Sequence, residues 1–129
     1  MQNRRIILVE DDPAVSDIIP ILLKRNGYDV MEFLSCIPVL HQLKEFPHLI
    51  LLDFQLTDED ALEICRHFKN CPKASEIPLV FLSATADIKE KACKAGADAF
   101  IEKPFTSRRL LSTICELINS AEMMKFNGS

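Results

Sequence analysis

Leu49-Ile50-Leu51-Leu52-Asp53 is a run of four large aliphatic residues stopped by a carboxylate. No polar residue interrupts it, so it lacks the alternation of a half-buried strand. It reads as a strand covered on both faces, the mark of a parallel sheet enclosed by helices. Ile6-Ile7-Leu8-Val9-Glu10 and Leu79-Val80-Phe81-Leu82-Ser83 have the same form, and Ala99-Phe100-Ile101-Glu102-Lys103-Pro104 is a shorter version. Each delivers a polar group at its C-terminal end. Tyr28-Asp29-Val30-Met31-Glu32-Phe33 alternates instead and reads as an edge strand.

Helix-period segments fill the intervals. Residues 12–26 open with Asp12-Pro13 as N-cap and first helical residue and stop at Gly27. Val15, Ile18, Ile19, Leu22 and Leu23 form their apolar face. Pro20 lies inside this pattern and predicts a kink with an unpaired Ser16 carbonyl. Residues 37–45 present Val39, Leu40 and Leu43, and residues 58–68 present Leu62, Ile64, Cys65 and Phe68. Residues 70–78 read as a polar, proline-flanked loop. A fourth helix spans 87–95 and closes at Gly96. A fifth begins near Thr106-Ser107 and carries Leu110, Leu111, Ile114, Cys115, Leu117, Ile118 and Ala121, fading before Asn127. Five strand–helix pairs with right-handed crossovers predict an α/β, flavodoxin-like (βα)5 three-layer sandwich with parallel strand order 2-1-3-4-5. The ligand site of such a sheet lies at the switch between the first and third strands.

The bulk composition is consistent with this. A chain of 129 residues, 48% hydrophobic and 26% charged, reads as one domain over 1–129 with its core at about 4–122. The net charge of -4 argues against nucleic acid or an anionic membrane as a direct partner. No apolar run approaches the roughly 20 residues of a membrane span. The five cysteines are irregularly spaced and form no C-x-x-C pair, so reduced thiols in a cytoplasmic protein are expected. His41, His48 and His67 lack metal-like spacing and read as structural or surface residues. Met1 directly ahead of the first strand predicts a natural start, and Met123-Met124-Lys125-Phe126 reads as a tail or a linker.

The chemistry lies at the strand ends. Asp11, Asp12 and Asp53 would crowd together there, and carboxylates so placed call for a cation. Magnesium takes one or two carboxylates plus phosphate oxygens. A carboxylate can also act as a nucleophile towards phosphorus. Lys103 would bring an ammonium and Ser83 a hydroxyl to the phosphoryl oxygens. Each residue also has an ordinary reading: a helix cap for Asp12 or Ser83, a turn for Asp53, a solvated loop charge for Lys103. Their arrival on one edge of one sheet favours the joint reading.

Val9-Glu10-Asp11-Asp12-Pro13, Leu51-Leu52-Asp53, Leu82-Ser83-Ala84 and Gly96-Ala97-Asp98-Ala99-Phe100-Ile101-Glu102-Lys103-Pro104-Phe105, in this order, resemble the receiver domains of two-component response regulators. The resemblance covers nearly the whole chain. It implies that Asp53 is the phosphoacceptor, served by a sensor histidine kinase or a phosphotransfer protein. It implies that Asp11, Asp12, Asp53 and the backbone carbonyl of Gln55 hold Mg2+, for which Mn2+ would substitute. It implies that Ser83 and Lys103 contact the phosphoryl group and that the Lys103-Pro104 peptide is cis. Ser83 and Phe100 would form the switch, altering the face made by the fourth helix, fifth strand and fifth helix towards an unknown output protein or domain. Such a receiver catalyses only its own phosphorylation and dephosphorylation, with Gln55 and Thr85 at positions whose side chains affect the latter. The chain departs from the family at Leu56-Thr57, where Met-Pro is common, at Ala61, where glycine is common, and at Phe100, often tyrosine.

Asp53-Phe54-Gln55-Leu56-Thr57 also looks like the D-x-D-x-T motif of haloacid-dehalogenase-type phosphatases. There the second aspartate is the general acid, and the Gln55 amide cannot supply that proton. A flavin-binding flavodoxin fits less well, because Glu10-Asp11-Asp12 would repel the phosphate its first loop must hold.

Overall fold

The computed structural model of the chain describes residues 4–10, 18–33, 47–53, 58–72, 74–84 and 88–127. Five strands form one sheet: β1 (Arg5–Glu10), β2 (Asp29–Phe33), β3 (Leu49–Asp53), β4 (Leu79–Ser83) and β5 (Ala99–Glu102). Their order is β2-β1-β3-β4-β5, with every pairing parallel. The described helices are α1 (Ile18–Arg25), α2 (Asp58–Asn70), α3 (Lys89–Ala95) and α4 (Ser107–Asn127). The helix expected over residues 37–45 and the cap expected at Asp12-Pro13 lie outside the described residues.

Alternation along the inner strands divides the core into two layers, because successive side chains point to opposite faces. Ile7, Val9, Ile50, Leu52, Leu79 and Phe81 pack with Leu62, Cys65 and Phe68 of α2 and with Ile88, Ala92 and Ala95 at α3. Ile6, Leu8, Leu49, Leu51, Val80, Leu82 and Ile101 pack with Ile19 and Leu23 of α1 and with Leu110, Ile114 and Ile118 of α4. Both layers are almost wholly removed from solvent, which explains the uninterrupted apolar runs. β2 is one of the two edge strands, and its exposed or half-buried residues explain its alternation.

The helix faces differ from expectation in detail. In α1 the buried stripe is Ile19 and Leu23, while Ile18, one position off it, is 76% exposed. In α4 the stripe is Leu110, Ile114 and Ile118, at four-residue steps, and Cys115 next to it is exposed. An adjacent helical residue is rotated about 100° around the axis, enough to leave a core-facing stripe. Pro20 is the third described residue of α1 and is buried. The segment read as a polar loop also contributes to the core, through Ala74 and Ile77. Helix α2 runs to Asn70, two residues beyond the expected end, and α3 is capped by Ile88 without a side-chain hydrogen bond.

Two helices end alike. Gly27 and Gly96 adopt positive φ, 89° and 108°. The Tyr28 amide donates to the Leu23 carbonyl and the Gly27 amide to Lys24, while Ala97 donates to Ala92 and Gly96 to Cys93. Both are Schellman terminations, closing orphan carbonyls before the chain enters β2 or β5. Their surroundings differ. A Cβ at Gly27 would meet nothing within 4 Å, but one at Gly96 would lie 2.6 Å from Lys69 Cγ. Gly27→Ala is therefore expected to lose only the backbone term, about 1–2 kcal/mol, and Gly96→Ala measurably more. Urea unfolding of the two variants checks this; equal losses would show that the Lys69 stem yields freely.

Lys69 is held because its ammonium has three acceptors. It donates to the Asp98 carboxylate at 2.6 Å, the Ile77 carbonyl at 2.9 Å and the Ser75 carbonyl at 3.2 Å. Asp98 also accepts from the Leu79 amide at 2.8 Å. The C-terminal end of α2 is thereby tied to the first residue of β4 and to the residue just ahead of β5.

Candidate functional site

Register decides which polar strand ends meet. Glu10 is the pairing partner of Asp53, Asp53 that of Leu82, and Ser83 that of Glu102. Asp53 closes the most central strand and is 1% exposed, as is Ser83, while Glu10 is 3% exposed. Carboxylates so deeply buried require compensating charge or hydrogen bonds. Lys103, the first residue past β5, supplies one: its Nζ donates to Asp53 Oδ1. Its backbone amide donates to the Ser83 carbonyl at 2.8 Å, which extends the β4–β5 ladder to the lysine itself. The following Lys103–Pro104 peptide is cis, and α4 starts just beyond, with Thr106 Oγ1 accepting from the Arg109 amide at 3.0 Å.

Asp53, Ser83 and Lys103 thus come together as three adjacent strand ends. Asp11, Asp12 and Gln55 lie outside the described residues. Glu10 was legible as the polar end of the first strand but had no role in the expected site. Asp11 and Asp12 drew attention as a pair, but the register sets Glu10 directly beside Asp53. Its signal was its place as the first polar residue after Ile6–Val9. No cluster of three or more His, Cys, Asp or Glu residues is assembled among the described residues. The two buried carboxylates on paired strands are nevertheless hard oxygen donors, and they fit a magnesium ion by chemistry.

Phe100 is half-buried beside this edge. Its ring stacks on Phe81, its register partner, with centroids 6.0 Å apart and planes at 18°. It also lines a surface cavity of about 380 Å³ with Lys89, Glu102, Pro104, Phe105 and Arg109, at the junction of α3, β5 and α4.

The described cysteines are free. Cys65 donates to the Ala95 carbonyl, and burial pushes its thiol up to about 11, so it serves as a core residue rather than a nucleophile. His67 is exposed, and the Arg5 amide donates to His48.

The family described as "Response regulator receiver domain" matches residues 6–115. The chain belongs to this family. Over 123 residues the receiver domain is 32% identical to the DNA-binding dual master transcriptional regulator RpaA of Synechocystis sp., an alignment covering 92% of this chain and 50% of that protein. The chain therefore spans about half the length of this curated relative. Among solved structures, the receiver domain superposes on a CheY-like response regulator receiver domain protein from Methanospirillum hungatei with TM-score 0.82 and 28% identity, covering 95% and 98% of the two chains. The receiver domain of a sensor histidine kinase from Pseudomonas aeruginosa, described with a magnesium ion coordinated in its active site cleft, shares the fold at TM-score 0.80 and 24% identity, covering 92% and 99%. The expected family and the flavodoxin-like order 2-1-3-4-5 are both found. The phosphatase-like reading of Asp53–Thr57 has no support. No helix among the described residues is long and apolar enough to cross a membrane.

Proposed function

We propose that this receiver domain accepts a phosphoryl group on Asp53 from a phosphohistidine of a sensor histidine kinase or phosphotransfer protein. The observation that carries the reading is the Lys103 ammonium on the buried Asp53 carboxylate, beside Glu10 and Ser83 at the C-terminal edge of the sheet. An Asp53 carboxylate oxygen attacks phosphorus, the bond from phosphorus to the donor imidazole breaks, and the imidazole takes up a proton from solvent as it leaves. The product is an acyl phosphate on Asp53. The phosphoryl oxygens then take the Lys103 ammonium over from the carboxylate, and the Ser83 hydroxyl donates to another of them.

Magnesium would be held by Asp11, Asp12, Asp53 and the Gln55 carbonyl, with Glu10 added to the acidic set by its register. When bound, the ion neutralises charge accumulating between the carboxylates and the phosphate. The protein itself catalyses only this phosphorylation and the hydrolysis of the acyl phosphate, in which water takes the phosphoryl group as inorganic phosphate and the Asp53 carboxylate is restored. Movement of Ser83 towards the phosphate frees space for the Phe100 ring to turn inward, and the α3–β5–α4 face changes with it. That face serves an output protein or domain. The reading treats residues 1–129 as one cytoplasmic receiver domain.

Incubation with acetyl phosphate and Mg2+ tests the reading. A hydroxylamine-labile phosphate is expected on the protein, nearly all of it lost when EDTA replaces the metal. Labelling that is unchanged in EDTA, or resistant to hydroxylamine, would exclude a metal-assisted acyl phosphate.

A further inference from the structure

The end of the sheet opposite the acidic edge contains a bond that the backbone ladder does not supply. In a regular parallel ladder a residue donates to and accepts from backbone groups of its neighbour. Arg5, the first residue of β1, follows this with its carbonyl, which accepts from the His48 amide at 2.8 Å. Its own amide instead donates to Nδ1 of the His48 ring at 2.9 Å. One residue therefore closes both backbone groups of Arg5. Nδ1 accepts, so it carries no proton.

We propose that His48 is a proton-sensitive clasp: its neutral imidazole closes the first residue of β1 onto the entry of β3, and protonation opens that end of the sheet. An imidazolium presents an N–H at both ring nitrogens, so Nδ1 would then face the Arg5 amide donor to donor. The closed state excludes that proton. It is therefore favoured while the ring is neutral and lost as falling pH charges it. The charged neighbours follow from the register. Arg5 and its partner Asp29 lie in the same row on β1 and β2, and both are engaged in interactions, as is His48. At the entries of β4 and β5 stand Lys69, bound to the Ile77 carbonyl, and Asp98. Arg4 points to the other face, where it pairs with Glu122 of α4 at 2.7 Å. The clasp lies five residues from Glu10 on β1 and five from Asp53 on β3, so it opens the far end while the site remains assembled.

Amide hydrogen exchange read by NMR, corrected for the intrinsic rate, tests the clasp. Protection of the Arg5 amide should fall about tenfold between about pH 7.5 and about pH 5.5, the loss of roughly one hydrogen bond. The Ile50 amide, which donates to the Pro78 carbonyl, should keep its protection. In His48→Asn the side-chain oxygen can take the place of Nδ1 without titrating, so Arg5 should stay protected at both pH values. His48→Phe should leave Arg5 unprotected at both; if that variant fails to fold, the wild type and His48→Asn decide alone. Protection of Arg5 that is flat through the imidazole titration, or that falls equally in His48→Asn, overturns the proposal.

Discussion

Asp53→Asn should take up no phosphoryl group from acetyl phosphate under conditions in which the wild type is labelled. The substitution preserves shape but replaces an anionic oxygen nucleophile with an amide. Removal of a nucleophile ranks among the largest single-site losses, so labelling should drop at least about 100-fold. The fold is expected to survive. Removing one member of a buried ion pair is destabilising when the other is left without an acceptor, but the amide oxygen of the variant can still accept from the Lys103 ammonium, and one of two paired buried carboxylates is removed. The urea midpoint should therefore stay close to that of the wild type, which separates lost chemistry from lost structure. Wild-type labelling in a folded Asp53→Asn protein would place the phosphoacceptor elsewhere.

The largest stability effect is expected far from that site. Asp98→Ala should destabilise the domain by about 3 kcal/mol, because it strands two donors at once. The Lys69 ammonium, on a side chain only 15% exposed, would retain two carbonyls but no counter-charge. The Leu79 amide at the start of β4 would lose its acceptor. Lys69→Met should cost less, about 1–2 kcal/mol. It keeps the stem volume and leaves Asp98, 38% exposed, bonded to Leu79 and open to water. The double variant should lose less than the sum of the two, as for residues sharing one network. Chemical denaturation of all three checks this. Additive losses would mean that Lys69 and Asp98 act separately and that the contact between them is incidental.

This latch shows where sequence reading stopped. Gly96-Ala97-Asp98 was legible as part of a family signature, with no physical role for Asp98. Its partner lies 29 residues away on α2, in a stretch that read as helix end and polar loop. The same limit hid the place of Glu10. That it sits beside Asp53 depends on a register set by two strands pairing across a long crossover. Ile18 and Cys115 failed differently. Apolar periodicity fits several neighbouring residues to one face, and only packing against the sheet selects the narrower stripe.

Composition and period alone determined that this chain forms a parallel sheet covered on both faces, with polar groups at the C-terminal strand ends. Those properties are local: aliphatic runs must leave water, and glycine must end a helix where φ turns positive. The strand order could be anticipated because handedness and crossover length leave few alternatives. Tertiary structure alone decided which groups touch. Lys103 meets Asp53, Phe100 stacks on Phe81, Lys69 meets Asp98 and His48 closes Arg5, each across many residues of chain. Such contacts depend on register and on distances of a few ångströms, to which side-chain hydrogen bonds are sensitive and sequence periodicity is not.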